Sequence, residues 1–98
     1  LAHRPHIDAV HFANDNLAVG ALLAANRQGI RVPQELAIAG YLGLSIGEHI
    51  TPRLTTVVTP RYTMGRRAAE MLLARLRGES PVERVVDVGF ELAVREST

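Results

Sequence analysis

The sequence has no cysteine, and none of its eleven basic residues is lysine. Without cysteine there is no disulfide framework and no thiolate chemistry, which fits a reducing compartment. The net charge is only +1 and no block of like charge occurs, so composition makes no case for nucleic-acid or membrane binding by this stretch. No apolar run approaches the roughly 18 residues of a membrane span. The opening "LAHRPHID" lacks the apolar core of a signal peptide. It also lacks an initial Met and reads as the middle of a helix-to-strand connection, so the chain is expected to be a fragment of something longer.

What is present reads as globular. Of 98 residues, 47% are hydrophobic and 21% charged, enough for one small domain at most. "DAVHFA" (8–13) is a short apolar run with the character of a buried strand. From Asp15 to Gln28 the positions Leu17, Ala18, Ala21, Leu22, Ala24 and Ala25 recur at helical spacing, with Gly29 placed for a left-handed cap. "LAIAG" (36–40) is a second strand, completing a strand–helix–strand unit with parallel strands. Ser45 and Glu48 stand at capping-box spacing and predict one helical turn, stopped by Pro52. "LTTVV" (54–58) is β-branched and strand-like.

A strong helix is then predicted over 60–77, with Thr59 as N-cap and Pro60 in the first helical position. Met64, Ala68, Leu72, Leu73 and Leu76 form its apolar stripe, and Gly78 its stop. After the linker "ESPVE", residues 84–96 alternate as a long final strand with a bulge or bend at Gly89. The fold class is α/β. Strands this apolar want helices on both faces of the sheet, and two full helices are too few.

Catalytic signatures are missing. There is no G-x-S-x-G elbow and no phosphate-binding glycine loop. His3 and His6 fall in a Pro-containing terminus, His11 in a strand and His49 in a loop, and no pair has metal-ligand spacing. No metal, cofactor or enzymatic activity is therefore expected. His11 is the one histidine placed to line a cleft.

The polar cluster Asn14–Asp15–Asn16, in "ANDNLAVG", stands out more. In an open parallel sheet, ligands sit beyond the carboxyl ends of strands, where helix N-termini present free N–H groups. One side chain of Asn14 and Asp15 suffices as N-cap, worth about 1 kcal/mol. The second polar group must find another partner, which favours a ligand role for one residue and a cap role for the other. Leu42 and Thr59 occupy comparable strand-end positions. Thr59 alone reads more naturally as a cap.

Three ordered motifs carry a resemblance over nearly the whole chain. "FANDNLAVGALLAANRQGIRVPQELAIAGY", "TPRLTTVVTPRYTMGRRAAEMLLARLRGE" and "LAVREST" resemble the effector-binding domain of LacI/GalR-family transcription regulators, gluconate-type repressors most of all. The resemblance implies a partial periplasmic-binding-protein-like (Rossmann-like) fold, a parallel sheet with flanking helices. It implies that 1–58 belong to the C-terminal subdomain, 59–79 cross to a helix of the N-terminal subdomain, and 80–98 return. Asn14 matches the family's ligand-binding Asn and Asp15 its acidic partner, expected mainly to cap the helix. Leu42 stands where many sugar-binding members have Asp after Gly-Tyr or Gly-Phe, and Thr59 matches a position that contacts effector in some members.

The expected protein is a cytoplasmic repressor that senses a sugar or a sugar acid such as gluconate. It would be a homodimer, with operator DNA bound only through an N-terminal helix-turn-helix absent here. The alternative is a sugar-binding transport component of the same fold.

Overall fold

A computed structural model describes residues 6–80 and 84–98. Its core is one mixed sheet of four strands in sequence order, β1 (Ala9–His11), β2 (Ala37–Leu42), β3 (Thr55–Val58) and β4 (Glu91–Ala93). β1, β2 and β3 run parallel. β4 is antiparallel to β3, so the expected parallel sheet carries one reversed strand at its edge. Helix α1 (Asp15–Arg27) connects β1 to β2, and the one-turn α2 (Ile46–His49) lies between β2 and β3. The residue expected in a loop, His49, closes α2.

Side-chain alternation explains how α1 seats. Ala18, Leu22 and Ala25 recur at i, i+4 and i+7 and form its buried stripe. Ala18 and Leu22 meet Ile38 of β2 together with Leu36 and Leu54. Burying Leu22, Ile38 and Leu54 contributes about 1.5–3 kcal/mol each before ordering costs. Gly40 lets the helix N-terminus come close: a Cβ there would overlap Asp15 Oδ1 and stand 3.3 Å from the Ala18 methyl. Gly29, at φ +73°, ends the helix as its sequence position implied.

The last residues lock onto this sheet through side chains. Ser97 Oγ accepts from the Thr55 amide at 2.9 Å. Arg95 donates to the Leu54 carbonyl at 3.0 Å and reaches Glu48 at 3.4 Å. This engagement of Glu48 replaces the expected capping box. Ser45 already has helical angles, φ −61° and ψ −29°, and its side chain makes no cap bond.

The chain forms two compact units, Leu1–Val58 with Glu91–Thr98, and Thr59–Phe90. The second contains α3 (Arg61–Leu76), which begins one residue later than the sequence suggested. The cap position falls on Pro60, with ψ 72° outside the helical range and no side-chain cap bond, rather than on Thr59. The Thr59 carbonyl instead accepts from Arg61 N at 2.9 Å. No residue of α3 is buried, and Leu72, Leu73 and Leu76 are 61%, 53% and 75% exposed. Gly78 terminates it at φ +80°.

The long strand expected over 84–96 shrinks to three residues. Gly89 adopts φ +77° with its amide bonded to Asp87 Oδ1, a local turn that breaks extension just before β4. The linker expectation at 79–83 and the reading of His3 fall partly or wholly outside the described residues.

Candidate functional site

The carboxyl ends of β1 and β2 carry the polar cluster. Asn14 follows β1 in extended conformation, and its Oδ1 accepts the Leu17 amide at 3.0 Å. Asn14 is thus the helix cap. The cap uses only the carbonyl oxygen and leaves the two amide donors of Asn14 uninvolved in it.

Asp15 does not cap, contrary to expectation. It opens α1 and is completely buried, because its side chain turns into the sheet rather than back along the helix end. Its Oδ2 accepts from the backbone amides of Gly43 at 3.1 Å and Leu44 at 2.8 Å. Thr56 Oγ1 donates to the other oxygen at 2.6 Å. Burying a carboxylate is costly unless its lone pairs are filled, and charge-assisted bonds of this kind are among the stronger ones. The position at the first turn of α1 adds a favourable helix dipole.

Those bonds fix an unusual bend at the end of β2. Leu42 has φ +120° and Gly43 φ +80°. A leucine rarely adopts such an angle, and holding it there costs on the order of 1–3 kcal/mol. Glycine is required next: a Cβ at 43 would approach Val58 Cγ1 to 2.9 Å. Leu42 is half-buried at this bend. Backbone strain of this kind is kept where surrounding contacts over-determine it, and such places cluster at ligand sites.

Hydrogen bonds through Asp15 therefore link the segment carrying Asn14 to the bend carrying Leu42. Thr59 lies one residue beyond β3 and is buried, where the chain passes into its second compact unit. His11, an exposed residue of β1, donates from Nε2 to the Gly40 carbonyl at 3.1 Å. Among the described residues no three His, Asp or Glu side chains converge to hold a metal. No helix among them is long and apolar enough to cross a membrane.

Sequence reading missed the partners of Asp15. Thr56 read only as a β-branched strand residue, although its alternation places it on the face that meets α1, in register with Gly40. Nothing in the one-dimensional pattern marked the Gly43 and Leu44 amides as donors to a residue 28 and 29 positions earlier. A shallow apolar groove of about 270 Å³, bordered by Val10, Phe12, Ala21, Ala24 and Ile30, includes none of the candidate residues.

An α/β unit with polar groups at its strand ends and a glycine-assisted bend defines a class: open-sheet domains that hold small ligands at the carboxyl edge. A family model described as a periplasmic binding protein-like domain matches residues 1–98, and the chain belongs to this family. The HTH-type transcriptional regulator GntR of Pseudomonas aeruginosa is 48% identical over all 98 residues, which span 29% of its length. The crystal structure of transcription regulator GntR from Chromobacterium violaceum superposes with a TM-score of 0.89 at 48% identity, over 99% of this chain and 36% of that one. A transcriptional regulator CelR–cellobiose complex superposes over 100% of this chain and 30% of its own, with a TM-score of 0.91 and 36% identity. The chain thus spans roughly a third of the regulators it resembles.

Proposed function

We propose that these residues are the C-terminal part of the effector-sensing domain of a LacI-type transcriptional repressor. The ligand class is a sugar or sugar acid, with gluconate the leading candidate. The observation that supports this most is the paired placement of Asn14 and Leu42 at adjacent strand ends, on a backbone matching that of a cellobiose-bound regulator across the whole chain. Asn14 offers its amide donors to ligand hydroxyl or carboxylate oxygens while its oxygen caps α1. Leu42 lends an apolar wall, and Thr59 a hydroxyl from the crossover. Asp15 shapes the site from beneath.

In this reading 1–58 and 80–98 serve the C-terminal subdomain, and 59–79 the N-terminal one. Effector binding favours the closed arrangement of the two subdomains and shifts the population of paired DNA-binding heads. The protein acts in the cytoplasm as a homodimer, contacts operator DNA through a helix-turn-helix outside these residues, and performs no catalysis. A transport component of the same fold is disfavoured by relatives that are regulators over the full span of the chain.

Titration calorimetry of the intact protein against gluconate and neutral sugars, paired with anisotropy of labelled operator DNA, tests the proposal. Saturable binding that changes operator affinity is expected. Absence of any sugar or sugar-acid binding, or binding without effect on operator affinity, would overturn it.

A further inference from the structure

We propose that Asp15 is a positioning residue for the effector, holding the bend at Leu42–Gly43 in the one geometry that sets Leu42 against the ligand held by Asn14. The inference rests on the reading of Asn14 and Leu42 as ligand-facing. Asp15 is next to Asn14 in the chain, and its Oδ2 accepts from Gly43 and Leu44, the two residues that follow Leu42.

The bend has reason to relax without that anchor. Leu42 at φ +120° and Gly43 at φ +80° are consecutive left-handed residues, and leucine does not hold such an angle by its own preference. Two amides converging on one carboxylate oxygen form a concavity of backbone donors, which fixes successive peptide planes at once. The second oxygen accepts from Thr56 Oγ1 of β3, a further tie to the sheet for a carboxylate already held by its completely buried place at the first turn of α1. Gly40 makes room for it, since any side chain there would collide with Oδ1. The four features act on one atom group: a cleared space, a strand anchor, two loop donors and a helix start. Together they transmit the position of β3 and α1 to the backbone of Leu42.

A purely stabilising role and a positioning role separate by which bonds are cut. Asp15→Asn keeps an acceptor oxygen for the loop amides and offers its NH2 to Thr56, whose hydroxyl can accept. Thr56→Val removes the strand bond but leaves both loop bonds. Gly43→Ala disturbs the bend, through Val58 and the positive φ, without touching Asp15.

The test is calorimetry with gluconate on the intact protein, together with amide hydrogen exchange at Gly43 and Leu44. Asp15→Ala and Gly43→Ala are expected to weaken gluconate binding by about tenfold or more, with Asp15→Asn and Thr56→Val within about threefold of the parent. Exchange at the two amides is expected to be slow in the parent and in Thr56→Val, and fast in Asp15→Ala. If Asp15→Ala does not fold, Gly43→Ala and the exchange data still decide. Unchanged affinity in Gly43→Ala, an affinity loss in Thr56→Val as large as in Asp15→Ala, or fast exchange in the parent overturns the proposal. Asn14→Ser separates the two readings: unchanged affinity there sinks the effector site itself, whatever Asp15 does.

Discussion

Ser97 Oγ donates to the Ile38 carbonyl at 2.5 Å, joining the second-last residue of the chain to the start of β2. The same oxygen accepts the Thr55 amide of β3 at 2.9 Å, and Ser97 is completely buried. Ile38 in turn donates its amide to the Ser97 carbonyl at 2.9 Å. One hydroxyl thus bridges the parallel strands β2 and β3. Ser97→Ala is expected to leave one donor and one acceptor unpaired, costing about 1–3 kcal/mol for each group so exposed. Urea denaturation of the intact protein should show a lowered midpoint with an unchanged slope. An unchanged midpoint would mean that water replaces the hydroxyl without loss.

Asn14 should separate cap from ligand. Asn14→Ser keeps a capping oxygen and removes the amide donors, so helix stability should change by only a few tenths of a kcal/mol. Effector affinity should nevertheless fall by about tenfold, the loss of one or two polar contacts totalling about 1.5 kcal/mol. Asn14→Ala should show the same affinity loss with about 1 kcal/mol of destabilisation added. Calorimetry with a parallel thermal melt reads both numbers. Equal affinity in a folded Asn14→Ser protein removes Asn14 from the site.

These two cases show what the sequence could and could not convey. The periodicity of Ala18, Leu22 and Ala25 and the stops at Gly29 and Gly78 are local signals, and each element they predict is present. The assignment of roles within "AND" is not local. Which of two adjacent polar residues caps depends on whether a cleft beside Gly40 is open to the other, a fact of tertiary approach. The long final strand failed for the opposite reason. Alternation in "RVVDVGFELAVRE" is real, but the positive φ at Gly89 leaves only Glu91–Ala93 paired with β3. Thr59–Pro60 had the composition of a helix start, yet ψ 72° at Pro60 defers the helix to Arg61.

Acid should loosen the end of the chain. Glu96 accepts the Arg53 backbone amide at 2.9 Å and Arg53 Nε at 3.2 Å. The bond from that amide, then the guanidinium bond, holds the Glu96 carboxyl below the usual carboxylate range. Glu35 is lowered in the same direction, first by the Arg31 amide. A carboxylate lowered on folding stabilises fully above its unfolded value, and that contribution is lost as pH falls through the folded one. Stability should therefore be flat near neutrality and decline below the ordinary carboxylate range, with Glu96→Gln flattening part of the decline. Carboxyl carbon shifts followed by NMR check it: Glu96 titrating at or above the usual range would contradict the assignment.

The groove bordered by Val10, Phe12, Ala21 and Ala24 gives the proposed dimer a testable face. Small residues on α1 leave it shallow, and Leu17 nearby on the helix is 53% exposed. A charge at Ala24 would be desolvated in any subunit contact formed there, at a cost of several kcal/mol. Ala24→Glu should convert the intact protein from dimer to monomer at micromolar concentration. Sedimentation showing monomers for the parent, or dimers for the variant, would place the contact elsewhere or dismiss it.

The 98-residue chain expressed by itself poses a separate problem at α3. Leu72, Leu73 and Leu76 are all more than half exposed, and so are Phe90, Leu92 and Val94 around β4. Fully burying one leucine is worth about 1.5–3 kcal/mol, so three left in water forgo a large share of a small domain's stability. Arg66 and Arg67 pair with Glu70 at 3.8 and 3.7 Å, but exposed pairs of this kind contribute at most about 1 kcal/mol. They cannot offset the stripe. The apolar face is therefore expected to find cover in a second copy, by pairing or by exchange of the 59–90 unit between chains. Scattering should report a particle of twice the chain mass, with α3 amides protected only at concentrations where that particle forms. A compact monomer with α3 protected at every concentration would show instead that the helix folds back onto its own sheet.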